Sequence, residues 1–300
     1  MKKFTVTIGI PAHNEENNIT SLLEAILKQR GDNFVLREII VVCDGCTDKT
    51  ADVVKALSKH HALIKIINDG RRLGKAARMN ALYKHLQNDV FISFDADVIL
   101  GNDQVISELV KPFEDEKVGL VGGRVYPVKQ KKFVGKILEA QEYFWTVVVN
   151  SIRDGNGLQS HTGPMSAGSK AFLKTIDRPT DIVADDHFLY FAALKNGFTY
   201  KAAKNARVYI KVPNTFNDYM KQATRFLDSA NQIRDYFGSW TNEYYTIPYT
   251  KKLRAYVLAF LKYPLYMPLA IGLVFLRGVL DPFYKDRQKN GTWTQVASTK

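Results

Sequence analysis

The sequence predicts an α/β fold, a mostly parallel, Rossmann-like sheet with helices on both faces, followed by apolar and amphipathic helices at its C-terminal end. Three observations carry this. Strand-like apolar runs alternate with helix-period segments through the first hundred residues; each run closes on polar residues; and the last fifty residues turn apolar and aromatic.

Taken in order, residues Phe4–Pro11 read as a strand, Asn18–Lys28 as a helix, Glu38–Asp44 as a strand, Thr47–Lys59 as a helix, Leu63–Asn68 as a strand, Lys75–Leu86 as a helix and Val90–Asp95 as a strand. One helix between successive strands is the mark of βαβ units and a parallel sheet. Further on, Leu120–Pro127 and Ala206–Val212 read as strands, Gly135–Ile152 as a long aromatic-rich helix, and Asp186–Lys195 as a short helix closed by Gly197. Residues 1–235 are expected to form the α/β unit and residues 236–300 a membrane-associated helical region.

With 300 residues, 46% hydrophobic and 24% charged, the chain can bury a large core. Cys43 and Cys46, the only cysteines, form no disulfide framework, and no leader pattern follows Met1, so a cytosolic location is expected. The net charge of +12 is local: residues 1–200 hold 26 basic against 24 acidic groups, and residues 201–300 hold 16 against 6. A cationic segment beside apolar sequence suits an anionic membrane surface better than nucleic acid. Lys262 and Arg277 bracket 14 uncharged residues, interrupted by Pro264 and Pro268. A helix of that length reaches roughly 21 Å against a hydrocarbon core of ~30 Å, so peripheral or re-entrant association with the inner face is expected rather than a span.

In parallel sheets ligands sit beyond the carboxyl ends of the strands, and those ends hold the chemistry-bearing residues. Asp95 and Asp97 close the run Val90–Phe94; paired carboxylates there need a cation, and oxygen ligands suit Mg²⁺ or Mn²⁺ and, with them, a diphosphate. Asp44 ends another run, placed to accept hydrogen bonds from a base or ribose, with Thr47 as a candidate N-cap. Cys43 and Cys46 lack the second Cys pair or His spacing that zinc requires. The loop Asp69–Gly74 opens a helix whose Lys75 and Arg78 could meet an anion, without P-loop spacing. Asp185 and Asp186 precede a helix; two adjacent acids near an apolar wall should have raised pKa values, suiting a general base. Gln222 and Arg225 share a helix face available to acceptor or diphosphate.

In this order the motifs Pro11-Ala-His-Asn14-Glu15, Asp44-Gly, Gly74-Lys75 to Asn80, Asp95-Ala-Asp97, Asp185-Asp186 and Gln222-x-x-Arg225-Phe226 resemble glycosyltransferase family 2, the GT-A fold group that includes cellulose, chitin and hyaluronan synthases. The resemblance covers residues 4 to about 230. It implies an inverting, metal-dependent transfer from a nucleotide-diphosphate sugar, uridine being the expected base, to a saccharide or lipid-linked acceptor. It places Pro11, Asn14, Glu15 and Asp44 around the nucleoside with Lys75 and Asn80 nearby, Asp95 at the ribose or donor sugar, and Asp97 on the metal. Asp186 matches the catalytic base, Gln222 and Arg225 the Gln-x-x-Arg-Trp motif, and Gly168, Asp185 and His187 fall on the acceptor side. Cys43, Asp185 and Phe226 stand where relatives carry Asp, Glu and Trp, the last weakening any expectation of processivity. Two other readings are a sugar-nucleotide pyrophosphorylase, which would carry a glycine-rich, Arg-containing loop after the first strand, and a basic membrane- or RNA-binding scaffold.

Overall fold

A computed structural model describes residues 3–224 and 229–280. Eight strands, β1 (Phe4–Ala12), β2 (Phe34–Cys43), β3 (Ile64–Asn68), β4 (Val90–Phe94), β5 (Ile99–Leu100), β6 (Val118–Pro127), β7 (Met165–Ser169) and β8 (Thr199–Ile210), form one sheet. Their order is β3-β2-β1-β4-β7-β6-β8-β5. The first four are mutually parallel, as the alternating strands and helices require. β7 runs antiparallel to both β4 and β6, and β5 antiparallel to β8. The helices are α1 (Ile19–Leu27), α2 (Thr50–His60), α3 (Lys75–Lys84), α4 (Val105–Val110), α5 (Phe133–Ser151), α6 (Lys170–Leu173), α7 (Asp185–Lys195), α8 (Phe216–Thr224), α9 (Ser229–Phe237), α10 (Asn242–Tyr245), α11 (Tyr249–Lys262) and α12 (Tyr266–Leu280).

Strand alternation feeds two cores. On one face Val6, Ile8 and Ile10 of β1 meet Ile19, Leu22, Leu23 and Ile26, the apolar stripe of α1. On the other, Phe91 of β4 meets Met79, Leu82 and Tyr83 of α3 and the aromatic face of α7. Both faces of the central strands are therefore buried, which is why they read as unbroken apolar runs. Tyr244 and Tyr245 of α10 also pack against this second core. Ala255 and Ala259 of α11 and Met267 and Ala270 of α12 close against Ile137, Ala140, Phe144 and Val148 of α5. No helix among the described residues is long and apolar enough to cross a membrane.

The expected helix start at Thr47 is corrected. α2 begins at Thr50, because Asp48 accepts hydrogen bonds from both the amide and the hydroxyl of Thr50, at 2.9 and 2.5 Å, while Asn14 takes the Thr47 amide. Residues before Thr50 are thereby committed to a turn.

At Gly123 in β6 a Cβ atom would lie 2.7 Å from the Ala206 carbonyl oxygen, a backbone atom that cannot step aside cheaply. Gly123→Ala is expected to destabilise the protein by about 1–3 kcal/mol, read from urea denaturation. An unchanged midpoint would mean that β6 and β8 separate freely here.

Candidate active site

The carboxyl ends of β1 and β2 gather one set of polar residues. Asp44, buried just past β2, accepts the amides of Leu73 (2.7 Å) and Gly74 (3.0 Å) and the Nε–H of Arg78 (2.9 Å). Arg78 in turn grips Asp69 at 2.9 and 2.7 Å, and that bond, with the Arg71 amide, holds Asp69 well below the usual carboxylate range. The loop 69–74 is thus wound onto Asp44 through two glycines in the left-handed region, Gly70 and Gly74. His13 donates from Nδ1 to the Asp44 carbonyl at 2.8 Å, and Arg72 donates to its Nε2. Asn14 also sits at positive φ, 55°, and Glu15 donates its amide to the Thr50 hydroxyl at 2.7 Å. Pro11 lies opposite Val42 in the same edge.

A second set assembles where β4 ends. The Lys75 ammonium at the start of α3 donates to Asp95 at 2.6 Å and to the Gly163 carbonyl at 3.1 Å, and stands 3.8 Å from Asp185. Arg178, from the loop before α7, reaches Asp185 at 3.4 Å and the Ala76 carbonyl at 2.9 Å. Asn80 holds that loop by donating to the Arg178 carbonyl at 2.6 Å. Lys75 and Arg78, read from sequence as charges for an external anion, thus face carboxylates of the protein itself.

These contacts split the acids. Burial pulls Asp185 upward, but the charges of Lys75 and Arg178 win and hold it below the usual carboxylate range. This corrects the expectation that its adjacency to Asp186 raises it: the second carboxylate was visible in the sequence, the two cations were not. Asp95 behaves oppositely. Burial, with Asp97 beside it, outweighs Lys75 and pushes it up to about 6. Asp97 is also raised by burial. Asp186 is fixed by two amides, Gly163 N–H to Oδ2 at 3.1 Å and His187 N–H to Oδ1 at 2.8 Å. Beneath it His161, 1% exposed, donates from Nδ1 to the Asp186 carbonyl at 2.9 Å; burial lowers its pKa, so it stays neutral.

A cavity of about 380 Å³ opens from this centre between α5 and the sheet. Asp95, Asp185, Asp186 and Gln222 line it, as do Glu142 and Trp145 of α5. The structure thus brings Lys75, expected beside the nucleoside residues, to Asp95 and Asp185, with Asp95, Asp185, Asp186 and Gln222 around one cavity, and it gathers Pro11, Asn14, Glu15 and Asp44 separately. His187 turns away to Tyr245, 3.2 Å from its hydroxyl, and Gly168 is mid-strand in β7, paired with Phe91 and Leu120. Arg225 and Phe226 lie outside the described residues. His161, Arg178 and Glu142 were missed; their only signal was a polar residue inside an apolar or turn-forming stretch. Among the described residues no group of three or more His, Cys, Asp or Glu stands ready to hold a metal by itself.

Removing the Lys75 charge should be felt most at alkaline pH. A carboxylic acid whose native pKa exceeds its unfolded value loses stability as pH rises through that interval, here from about 4 to about 6 for Asp95, and the loss deepens without the ammonium. Asp185 adds in the same sense, because its depressed pKa contributes stability only above the unfolded value. Lys75→Met is expected to cost about 3 kcal/mol near pH ~8 and clearly less near pH ~5, by urea denaturation at both. Equal losses at the two pH values would contradict it.

Comparison with known proteins brings the same elements together. The poly-beta-1,6-N-acetyl-D-glucosamine synthase of Staphylococcus aureus (strain MSSA476) is 24% identical over 262 residues, 85% of this chain but only 60% of that protein, so the chain spans well under two thirds of the relative it matches. Among solved structures, a mannosyltransferase from Pyrobaculum calidifontis in complex with GDP-Man and Mn²⁺ superposes with a TM-score of 0.61 at 20% identity, over 93% of this chain and 76% of that one. Glucosyl-3-phosphoglycerate synthase from Mycobacterium tuberculosis, in complex with Mn²⁺, UDP and phosphoglyceric acid, gives 0.53 at 14%, over 77% and 78%. Staphylococcus aureus TarS gives 0.51 at 18%, over 86% and 79%. At these identities the likeness is one of fold. The sequence profile described as "Glycosyl transferase family 2" matches residues 7–178, more than half of the chain and both polar clusters except Asp185, Asp186 and Gln222, and by that match the chain belongs to glycosyl transferase family 2.

Proposed function

We propose that the protein transfers a sugar from a nucleotide-diphosphate donor to an acceptor hydroxyl, with inversion at the anomeric carbon. The observation that carries this is the Asp186 carboxylate, held by two amides at the head of a cavity whose opposite acids, Asp95 and Asp185, are tied to Lys75. Asp186 takes the proton as the acceptor oxygen attacks the anomeric carbon, and the bond to the diphosphate breaks on the far side of that carbon. One displacement inverts the centre. Asp185, clamped by Lys75 and Arg178, positions the start of α7 rather than exchanging protons.

Asp95 and Asp97 are the residues that would hold Mg²⁺ or Mn²⁺, since two carboxylates completed by substrate phosphates are the set these hard cations favour. Bound there, the cation would supply neutralisation of the charge building on the diphosphate. Pro11, Asn14, Glu15 and Asp44 would frame the nucleoside, with uridine the expected base, and Gln222 and Arg225 would approach the diphosphate. A growing saccharide or a lipid-linked saccharide is the acceptor class in keeping with the polymer synthase relative. The pyrophosphorylase and scaffold readings have no comparable support, because the polar cluster around Asp186 has no role in either.

The same reading assigns residues 1–235 to catalysis and residues 236–300 to docking on the inner face of a membrane. Leu261, Leu265 and Phe275 stand 76%, 76% and 75% exposed on or beside α11 and α12, with Lys252, Arg254 and Lys262 on the same helices. Each surface-proximal cation adds about 1 kcal/mol on an anionic leaflet, and apolar burial adds to that.

Two experiments test these assignments. Across a panel of sugar nucleotides with Mn²⁺, Asp186→Asn is expected to keep donor affinity and lose transfer by roughly 10²–10⁴-fold, whereas an active Asp186→Asn beside a dead Asp185→Asn would reverse the roles. In vesicle co-sedimentation the protein should pellet with phosphatidylserine vesicles at low salt and be released at high salt; a chain that stays in the supernatant throughout has no membrane-docking surface.

A further inference from the structure

Away from Asp186 the cavity is lined by polar side chains that are left unmatched. Glu142 projects from α5 with no acidic or basic partner among the described residues, and burial alone pushes its carboxyl up to about 7. Gln159 donates from Nε2 to the Tyr244 carbonyl at 2.8 Å, which fixes the amide and leaves its buried Oε1 without a hydrogen-bond partner among the described residues. Arg124 of β6 is 5% exposed and among the described residues donates to the Gly155 carbonyl at 3.4 and 3.5 Å, long bonds for a buried guanidinium. Glu142 and Arg124 line one cavity without pairing with each other. An unmatched buried acceptor is costly, and a structure that sets the Gln159 Oε1 around one cavity with the half-buried Glu142 carboxyl and the weakly bonded Arg124 guanidinium leaves these groups open to a ligand.

The ligand's chemistry follows from what is missing. Glu142 and Gln159 can accept hydrogen bonds, Arg124 can donate them, and Trp145 of α5 adds an apolar ring to the lining. A pyranose ring offers hydroxyls that both donate and accept around its rim, and a face of C–H groups. The volume, about 380 Å³, lies in the lower part of the ~300–1,000 Å³ range of small-molecule pockets. None of Pro11, Asn14, Glu15 and Asp44 lines the cavity, so it extends away from the β1–β2 edge.

We infer that this cavity is the seat of the acceptor sugar, and that Glu142 and Gln159, with Arg124, select it by binding its ring hydroxyls while Trp145 stacks on its face. The inference rests on the transfer reading for the word acceptor, but saccharide capture itself does not. Seated there, the ring would present one further hydroxyl to Asp186, and the acceptor's identity would be decided on α5 and β6 rather than at the nucleotide.

Saturation-transfer NMR with short N-acetylglucosamine and glucose oligosaccharides, without donor, tests this, alongside titration with UDP and Mn²⁺. The parent chain should bind an oligosaccharide; Glu142→Ala and Gln159→Leu should each weaken that binding by about tenfold or more, and Glu142→Gln, which keeps a carbonyl acceptor, should recover most of it. All three variants should bind UDP like the parent, which also shows that they fold. Saccharide binding that is absent from the parent, or equal in parent and variants, overturns the proposal. Saccharide binding that follows the variants in a chain that does not bind UDP leaves the proposal standing and sinks the transfer reading instead.

Discussion

The site depends on one buried ammonium. Lys75 joins the start of α3 to the end of β4 through Asp95, to the loop before β7 through the Gly163 carbonyl, and to the start of α7 through Asp185. The β4–β7 pairing and the bonds of Asn80 and Arg178 bring the same segments close, and Lys75 neutralises the charge that meets there. Four acids, Asp95, Asp97, Asp185 and Asp186, feel its charge, with Arg178 beside Asp185 and Lys211 acting on Asp97 as the further cations among the described residues. The pocket therefore keeps an excess of negative charge, the condition under which a divalent cation is drawn in and a diphosphate tolerated beside carboxylates.

The β1–β2 edge follows a different principle. There the charges are spent: Asp44, Arg78 and Asp69 form a closed chain of hydrogen bonds, and His13 and Asn14 bond back to the segment after β2. A closed network fixes backbone, so what this edge can offer a nucleoside is shape and peptide groups more than free charge. The two halves of the site thus divide labour, one rigid and neutralised, the other charged and incomplete.

Much of this was legible in the sequence. The four parallel strands and their helices announced themselves through apolar runs and helical periodicity, and Asp95, Asp97 and Asp186 stood at element ends where ligands bind. β7 was not legible, because Met165–Ser169 is short, small-residued and buried by neighbours rather than by its own pattern; β5, with two residues, has no pattern at all. The start of α2 was misplaced because Thr47 suits an N-cap locally while Asn14, thirty-three residues earlier, claims its amide. The pKa of Asp185 was misjudged for a like reason: Asp186 is its neighbour in sequence, whereas Lys75 and Arg178 are its neighbours in space. Glu142 was hidden inside an aromatic helix, where it reads, like Glu139 one turn before it, as surface until the sheet is seen opposite it.

The reversed direction of β7 has a consequence of its own. In a wholly parallel sheet every strand arrives at the ligand edge by its carboxyl end and must leave through a crossover helix. Because β7 runs against β4 and β6, it departs from that edge, and the segment that feeds it, residues 152–164, lies over the site as an inserted bridge rather than a connection under tension. Its carbonyl and amide at Gly163 serve Lys75 and Asp186, and the Asp95 amide bonds to the Pro164 carbonyl. The stretch between α5 and Thr162 is itself anchored, since Leu158, Ser160 and His161 are buried and Asn156 accepts the Ala202 amide of β8, so it carries the site on the strands it connects. On the proposed reading, the acceptor side of such a scaffold hangs on one short connecting segment that stands apart from the β1–β2 edge.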